Sequence, residues 1–264
     1  MQKKFQYQNK EVAYSISGAG KPVILIHGFG EDGNIFNSQQ SFLENHCKMI
    51  IPDLPGSGNS PFNKYFSGID DFADCMHALI ENESIEQCVM LGHSMGGYIT
   101  LSFAEKYPSK LFGFGFIHST AFADSAEKKA NRQKGIELIE EYGAYSFLKN
   151  TIPNLFSKHF KEAFPYKIES LIERGANFTK EALQQYYKAM MNRTDKTKVL
   201  KSNPLPVLFV IGSEDVAAPL SDLQQQIHMP VCSYIHILDG IGHMSMLEAP
   251  DLLNEYLVKF IIED

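Results

Sequence analysis

At 264 residues, with 44% hydrophobic and 21% charged residues, the chain can bury one large core, or a core carrying an insertion. A net charge of −7 and a pI near 5.7 argue against a nucleic-acid surface, which needs a basic stripe. No run of about 18 apolar residues is present, so no membrane span is expected, and a cytoplasmic location fits.

Met1 to Lys10 alternates apolar with polar residues and reads as a strand, not a signal peptide. Phe5 to Tyr7 and Val12 to Ser17 form a predicted hairpin, joined at Gln8-Asn9-Lys10. Val23 to Ile26 is an aliphatic run ending in His27-Gly28-Phe29-Gly30, the pattern of a strand buried on both faces and followed by a glycine loop. A short helix is expected over Phe36 to Leu43, then a buried strand at Met49 to Ile51. The stretch Pro52-Asp53-Leu54-Pro55-Gly56-Ser57-Gly58-Asn59-Ser60-Pro61 is a long loop.

Apolar residues at Ile69, Phe72, Ala73, Met76, Leu79 and Ile80 recur at three and four, which predicts an amphipathic helix. Val89 to Leu91 is a strand that breaks at Gly92-His93-Ser94-Met95-Gly96, and a helix follows from Tyr98 to Lys106. Strand, sharp turn and helix with glycine on both sides of a serine is the pattern that exposes a hydroxyl at a sheet edge. Leu111 to Ile117 is the next strand. From 121 to 202 the alternation gives way to helical, charged, Phe- and Tyr-rich sequence with breaks at Gly143, Pro153, Pro165 and Gly175. This segment reads as an inserted helical cap on a core made of 1–120 and 203–264. Val207 to Ile211 then leads into Gly212-Ser213-Glu214-Asp215, a helix is expected near Leu220 to Ile227, and Val231 to Leu238 is the last strand. Gly240-Ile241-Gly242-His243 and a helix from Asp251 to Ile262 close the chain. Strands alternating with helices predict a mostly parallel sheet with helices on both faces.

A serine hydroxyl needs a base to take its proton, and the base needs an acid to hold its tautomer. Ser94, Asp215 and His243 all fall after predicted strands, where the active site of an open parallel sheet forms. The backbone N–H groups of Phe29 and Met95 are the expected oxyanion donors. Gly28, His118 and Met244 are expected to meet the substrate.

These blocks resemble the α/β-hydrolase superfamily over essentially the whole chain: His-Gly-Phe-Gly at 27–30, Asp-Leu-Pro-Gly-Ser-Gly-Asn-Ser at 53–60, Gly-His-Ser-Met-Gly-Gly at 92–97, Gly-Ser-Glu-Asp at 212–215 and Gly-His-Met at 242–244. The resemblance implies an α/β-hydrolase fold with an eight-stranded sheet, a Ser94 nucleophile, a His243 base, an Asp215 acid and a cap over the substrate. It implies no cofactor. Relatives that open epoxides or remove halogens carry aspartate at the elbow, and dienelactone-type relatives carry cysteine. Carbon–carbon bond hydrolases commonly have tryptophan after the histidine, where this chain has Met244, and iminopeptidases have His-Gly-Gly-Pro-Gly where it has His-Gly-Phe-Gly. The reading that remains is a carboxylesterase for small or medium acyl esters, acting as a monomer or homodimer. The alternatives are carbon–carbon hydrolase, perhydrolase or lactonase chemistry on the same triad, and a low-turnover ligand receptor of the same fold.

Several features also have plainer readings. Gly28-Phe29-Gly30-Glu31-Asp32-Gly33 imitates a dinucleotide fingerprint, but Glu31 and Asp32 would repel a pyrophosphate. His93 reads as packing, His27 as a hydrogen-bonding support of the glycine loop, Asp53 as a loop anchor, and Arg193 with Asp195 as a structural ion pair. The widely spaced Cys47, Cys75, Cys88 and Cys232 read as buried free thiols in a reducing cytoplasm. No ligand-spaced cysteine or histidine pair suggests a metal site.

Overall fold

The computed structural model describes residues 1–263. In chain order the elements begin with β1 (Gln2–Tyr7), β2 (Lys10–Ser17), β3 (Pro22–Ile26), a 3-10 turn at Gly33–Phe36, α1 (Asn37–Leu43), β4 (Lys48–Pro52) and α2 (Ile69–Asn82). They continue with β5 (Cys88–His93), α3 (Met95–Lys106) and β6 (Leu111–Ile117). Helices α4 (Ala126–Tyr142), α5 (Ala144–Thr151), α6 (Lys158–Ala163), α7 (Pro165–Arg174), α8 (Lys180–Asn192) and α9 (Thr197–Ser202) follow before β7 (Val207–Gly212). The chain ends with α10 (Leu220–Gln224), β8 (Ser233–Leu238), α11 (Ser245–Glu248) and α12 (Pro250–Glu263).

The eight strands form one sheet in the order β1-β2-β4-β3-β5-β6-β7-β8. Only β1 with β2 and β2 with β4 run antiparallel, and the remaining pairs are parallel. Central strands β5 and β7 are buried along their full length, as their unbroken apolar runs require when helices cover both faces. Strand β8 lies at the sheet edge, where Ile235 and Ile237 are exposed, Ser233, Tyr234 and His236 are half-buried and only Leu238 is buried. The hairpin turn is tighter than the apolar pattern suggests. Tyr7 pairs directly with Lys10, and Gln8 and Asn9 both take positive φ, 47° and 62°, the mirror-image turn whose twist matches that of the strands.

The insertion carries helices and no strand between β6 and β7. Its breaks fall where the sequence places them: Gly143, at φ 89°, separates α4 from α5, and Pro165 opens α7. Several bonds fix its base and tie it to the loops of the core. Lys196 N–H donates to Ala121 O at 3.0 Å and closes the base of the insertion. Tyr186 Oη donates to Pro55 O at 2.9 Å, and His243 N–H donates to Leu155 O at 2.7 Å. One continuous apolar core runs through both parts and includes Leu148, Phe156 and Leu183 with Leu91 and Phe209.

One expectation about the thiols is corrected. Cys47, Cys75 and Cys88 are buried, but Cys232 is exposed, because it precedes an edge strand and not a central one. Among the described residues no helix is long and apolar enough to cross a membrane.

Candidate active site

Ser94 stands between β5 and α3 with φ 51° and ψ −113°, a region that a residue with a side chain enters only under local constraint. The constraint is visible at its flanking glycines. A Cβ on Gly92 would lie 2.1 Å from the Gly96 backbone, and one on Gly96 would lie 2.1 Å from Ile26 O in the adjacent strand. The elbow is therefore wedged against β3 as well as against itself. Ser94 N–H donates to Ile117 O at 3.0 Å, and Ser119 Oγ donates to Ser94 O at 2.7 Å, tying the turn to the end of β6.

Asp215 follows β7. Its Oδ1 accepts from the Ala217 and Ala218 N–H groups, both at 2.9 Å. The His243 Nδ1–H reaches the same carboxylate, at 2.8 Å from Oδ2 and 2.9 Å from Oδ1. His118 Nδ1 lies 2.9 Å from Oδ2. Burial alone would raise the Asp215 pKa, but the facing His243 charge and the hydrogen bonds from His118 and His243 hold it well below the usual carboxylate range. Burial opposes the imidazolium of His243, and the Asp215 charge more than offsets this, so its pKa is raised.

Phe29 N–H and Met95 N–H donate to no protein group among the described residues. Met95 opens α3, so its N–H has no carbonyl one turn back in the helix. A Cβ on Gly28 would sit 3.1 Å from Ser94 Cβ, which places the glycine loop directly against the serine. Among the described residues no hydrogen bond joins Ser94 Oγ to His243 Nε2; such contacts tighten when substrate binds.

Of the residues expected to meet the substrate, Gly28 lies beside the serine but gives its N–H to Glu31 at 2.7 Å. Met244 is fully buried, and its N–H donates to Glu248 at 3.2 Å. His118 is also fully buried and faces Asp215. The convergence of His118, Asp215 and His243 donor atoms within 4.8 Å of one another is accounted for by these hydrogen bonds.

A further pair has no counterpart in the sequence reading. His93, read as packing, places Nδ1 at 2.9 Å from Glu31 Oε2 and Nε2 at 3.0 Å from His243 O. Both neighbours present oxygen atoms to the ring. Burial would raise the pKa of Glu31, but His93 and the Gly28 N–H hold it below the usual range. The pair thus ties together the glycine loop, the elbow and the His243 loop. The only sequence signals are a histidine before the serine and a carboxylate three residues past Gly28.

The supporting residues largely behave as read. His27 donates from Nδ1 to Gly28 O and accepts from Leu54 N–H at 3.0 Å, and Asp53 anchors the N–H groups of Gly33 and Asn59. Arg193 is the exception. It pairs with Asp124 at 2.8 Å and lies 3.8 Å over the Tyr98 ring, whereas Asp195 accepts from Thr197 N–H. Of the insertion's aromatics, three converge on Phe29: Tyr187 stacks on it at 4.2 Å, and Phe147 and Tyr186 meet its edge or face at 6.4 Å. Tyr142 and Tyr145 are exposed instead.

Comparison with known proteins agrees with this architecture. Residues 21–119 match the family model described as alpha/beta hydrolase fold. The chain is 29% identical over 251 residues to lipase 3 of Moraxella sp., covering 90% of this chain and 76% of that protein. It is 32% identical over 271 residues to an uncharacterized protein of Mycobacterium tuberculosis, covering 94% and 77%. It is also 25% identical over 258 residues to a dihydrolipoyllysine-residue acetyltransferase component of the acetoin cleaving system of Pseudomonas putida, where it covers 92% of this chain and spans 64% of that protein's length. The solved structure of a thermophilic esterase from Thermogutta terrifontis, with malate bound, superimposes with a TM-score of 0.93 at 25% identity over 100% of this chain and 98% of that one. The chain belongs to the α/β-hydrolase family.

Proposed function

We propose that this protein is a carboxylic ester hydrolase that works through an acyl-enzyme on Ser94, with His243 as base, Asp215 as acid and the 121–202 segment as a cap over the acyl group. The observation that carries the reading is the His243 ring held by its Nδ1–H on a buried, ionised Asp215, on loops tied to the strained Ser94 elbow. Ser94 Oγ attacks the ester carbonyl and gives its proton to His243 Nε2. Negative charge collects on the carbonyl oxygen, where the unpaired N–H groups of Phe29 and Met95 can receive it. His243 returns the proton to the departing alkoxide, and a water that it then deprotonates releases the acid and restores the serine. The similar proteins named as a lipase and an esterase support ester hydrolysis. The aromatic cluster on Phe29 makes an apolar acyl side. Four free thiols fit a reducing cytoplasm.

The test is labelling with a fluorophosphonate and hydrolysis of p-nitrophenyl acetate and butyrate. Ser94→Ala should lose the label and roughly a millionfold in turnover while folding normally. A variant that still cleaves these esters at the original rate overturns the assignment.

A further inference from the structure

His118 bears two costs at once. Its backbone sits at φ 54°, a left-handed conformation in which a residue with a Cβ is strained. Its Nε2 is buried without a hydrogen-bond partner, which forfeits the solvation that atom would have in water. A residue selected only to fill space at the end of β6 would incur neither. Costs of this kind persist where the surrounding structure has another use for the residue. The polar contact its ring makes among the described residues is to Asp215 Oδ2, at 2.9 Å. The backbone N–H of His118 donates to Val210 O of β7 at 2.8 Å and fixes the residue at the end of β6.

Resting on the serine hydrolase reading above, we infer that His118 is a positioning residue: its Nδ1–H shares the Asp215 carboxylate with His243 and fixes the plane in which the acid meets the base. Oδ1 is pinned by the Ala217 and Ala218 N–H groups, and Oδ2 is shared between the two imidazoles. Without His118, Oδ2 has one donor left, and the carboxylate can turn about its Cβ–Cγ bond away from the geometry that keeps the His243 proton on Nδ1. Burial pushes the His118 pKa down to about 4 against the pull of Asp215. The ring is therefore neutral through the working pH range and acts as a steady donor. It also withdraws charge from the carboxylate, so Asp215 stabilises the His243 imidazolium less than an unshared carboxylate would. The other groups facing these rings are the His93 ring, with its centroid 6.0 Å from that of His118, and the carboxylates of Glu31 and Glu248 near His243.

The experiment compares His118→Leu, which keeps bulk and removes the donor, with His118→Asn, whose amide can donate from the position of Nδ1 and whose backbone tolerates positive φ. For His118→Leu, kcat on p-nitrophenyl butyrate should fall about 10-fold to 100-fold, by analogy with the range seen when a group that orients a metal-ligating side chain is removed. KM should hold, and the acid limb of kcat/KM should move to higher pH because His243 then faces the undivided charge. His118→Asn should recover most of kcat and return the limb. A folded His118→Leu protein with the original kcat and limb overturns the inference. So does an equal loss in both variants with no movement of the limb, which marks a merely structural role. An independent measurement uses the unaltered protein: nitrogen-detected NMR of the His118 ring should show the neutral Nδ1–H tautomer, and a proton on Nε2 instead overturns the inference whether or not either variant folds. Retained activity in Ser94→Ala would overturn the hydrolase reading and leave the tautomer result standing, so the two failures are distinguishable.

Discussion

Replacing Glu31 with glutamine tests whether one buried pair assembles three loops of the site. Glu31 Oε2 accepts from Gly28 N–H at 2.7 Å and His93 Nδ1 at 2.9 Å, and its side chain is nearly inaccessible to water. Glutamine keeps the length and one acceptor but removes the buried negative charge that faces the His93 ring. Removing one partner of such a pair costs about 3–5 kcal/mol. In a chain of this size each kcal/mol lowers Tm by roughly 2–4 °C. The expected fall is therefore on the order of 10 °C, read by circular dichroism at constant pH. Activity should fall too, because the freed Gly28 peptide precedes the Phe29 N–H, and losing one such donor outright costs about 100-fold to 1,000-fold in kcat. The pairwise part is isolated by adding His93→Asn. Groups in contact couple by about 0.5–3 kcal/mol, so the double variant should lose less than the two single losses combined. An unchanged Tm for Glu31→Gln, or strictly additive losses, would refute the account of Glu31 and His93 as one unit.

Asp215→Asn should fold but lose about 10,000-fold in kcat, the scale seen when a catalytic imidazole is held in the wrong tautomer; a loss of only a few fold on p-nitrophenyl esters argues against Asp215 as the acid. The raised His243 pKa sets the sign of the pH profile. The imidazolium is the inactive form of the base, so kcat/KM should climb with pH through an apparent value above the ordinary 6.5 of histidine. An acid limb centred clearly below that value is inconsistent with His243 facing an ionised Asp215. Of the four thiols, Cys232 should react with a disulfide reagent in the folded protein much faster than Cys47, Cys75 and Cys88, whose burial pushes their pKa values up; uniform slow labelling of all four contradicts the placement of Cys232.

What the sequence exposed and what it hid divide along the range of the interaction. The parallel sheet with helices on both faces follows from runs such as Val89 to Leu91 and Val207 to Ile211, because a strand covered on both faces must be apolar throughout, and the elbow follows from glycines needed within two residues of Ser94. These are local requirements, and they leave local marks. Asp215 and His243 meet for a different reason: the ends of parallel strands collect at one edge, so topology brings together residues that spacing cannot. Topology does not say which buried side chains then face each other. Glu31 with His93 spans 62 positions and His118 with Asp215 spans 97, and neither pair has a periodicity, a turn signature or a ligand spacing of its own. Arg193 shows the same effect in reverse, since the carboxylate two residues away in sequence is not the one it meets in space. The Ser94 elbow and the loops that carry Asp215 and His243 are written in motifs, whereas the groups that hold those side chains still are decided by packing after the motifs have been brought together.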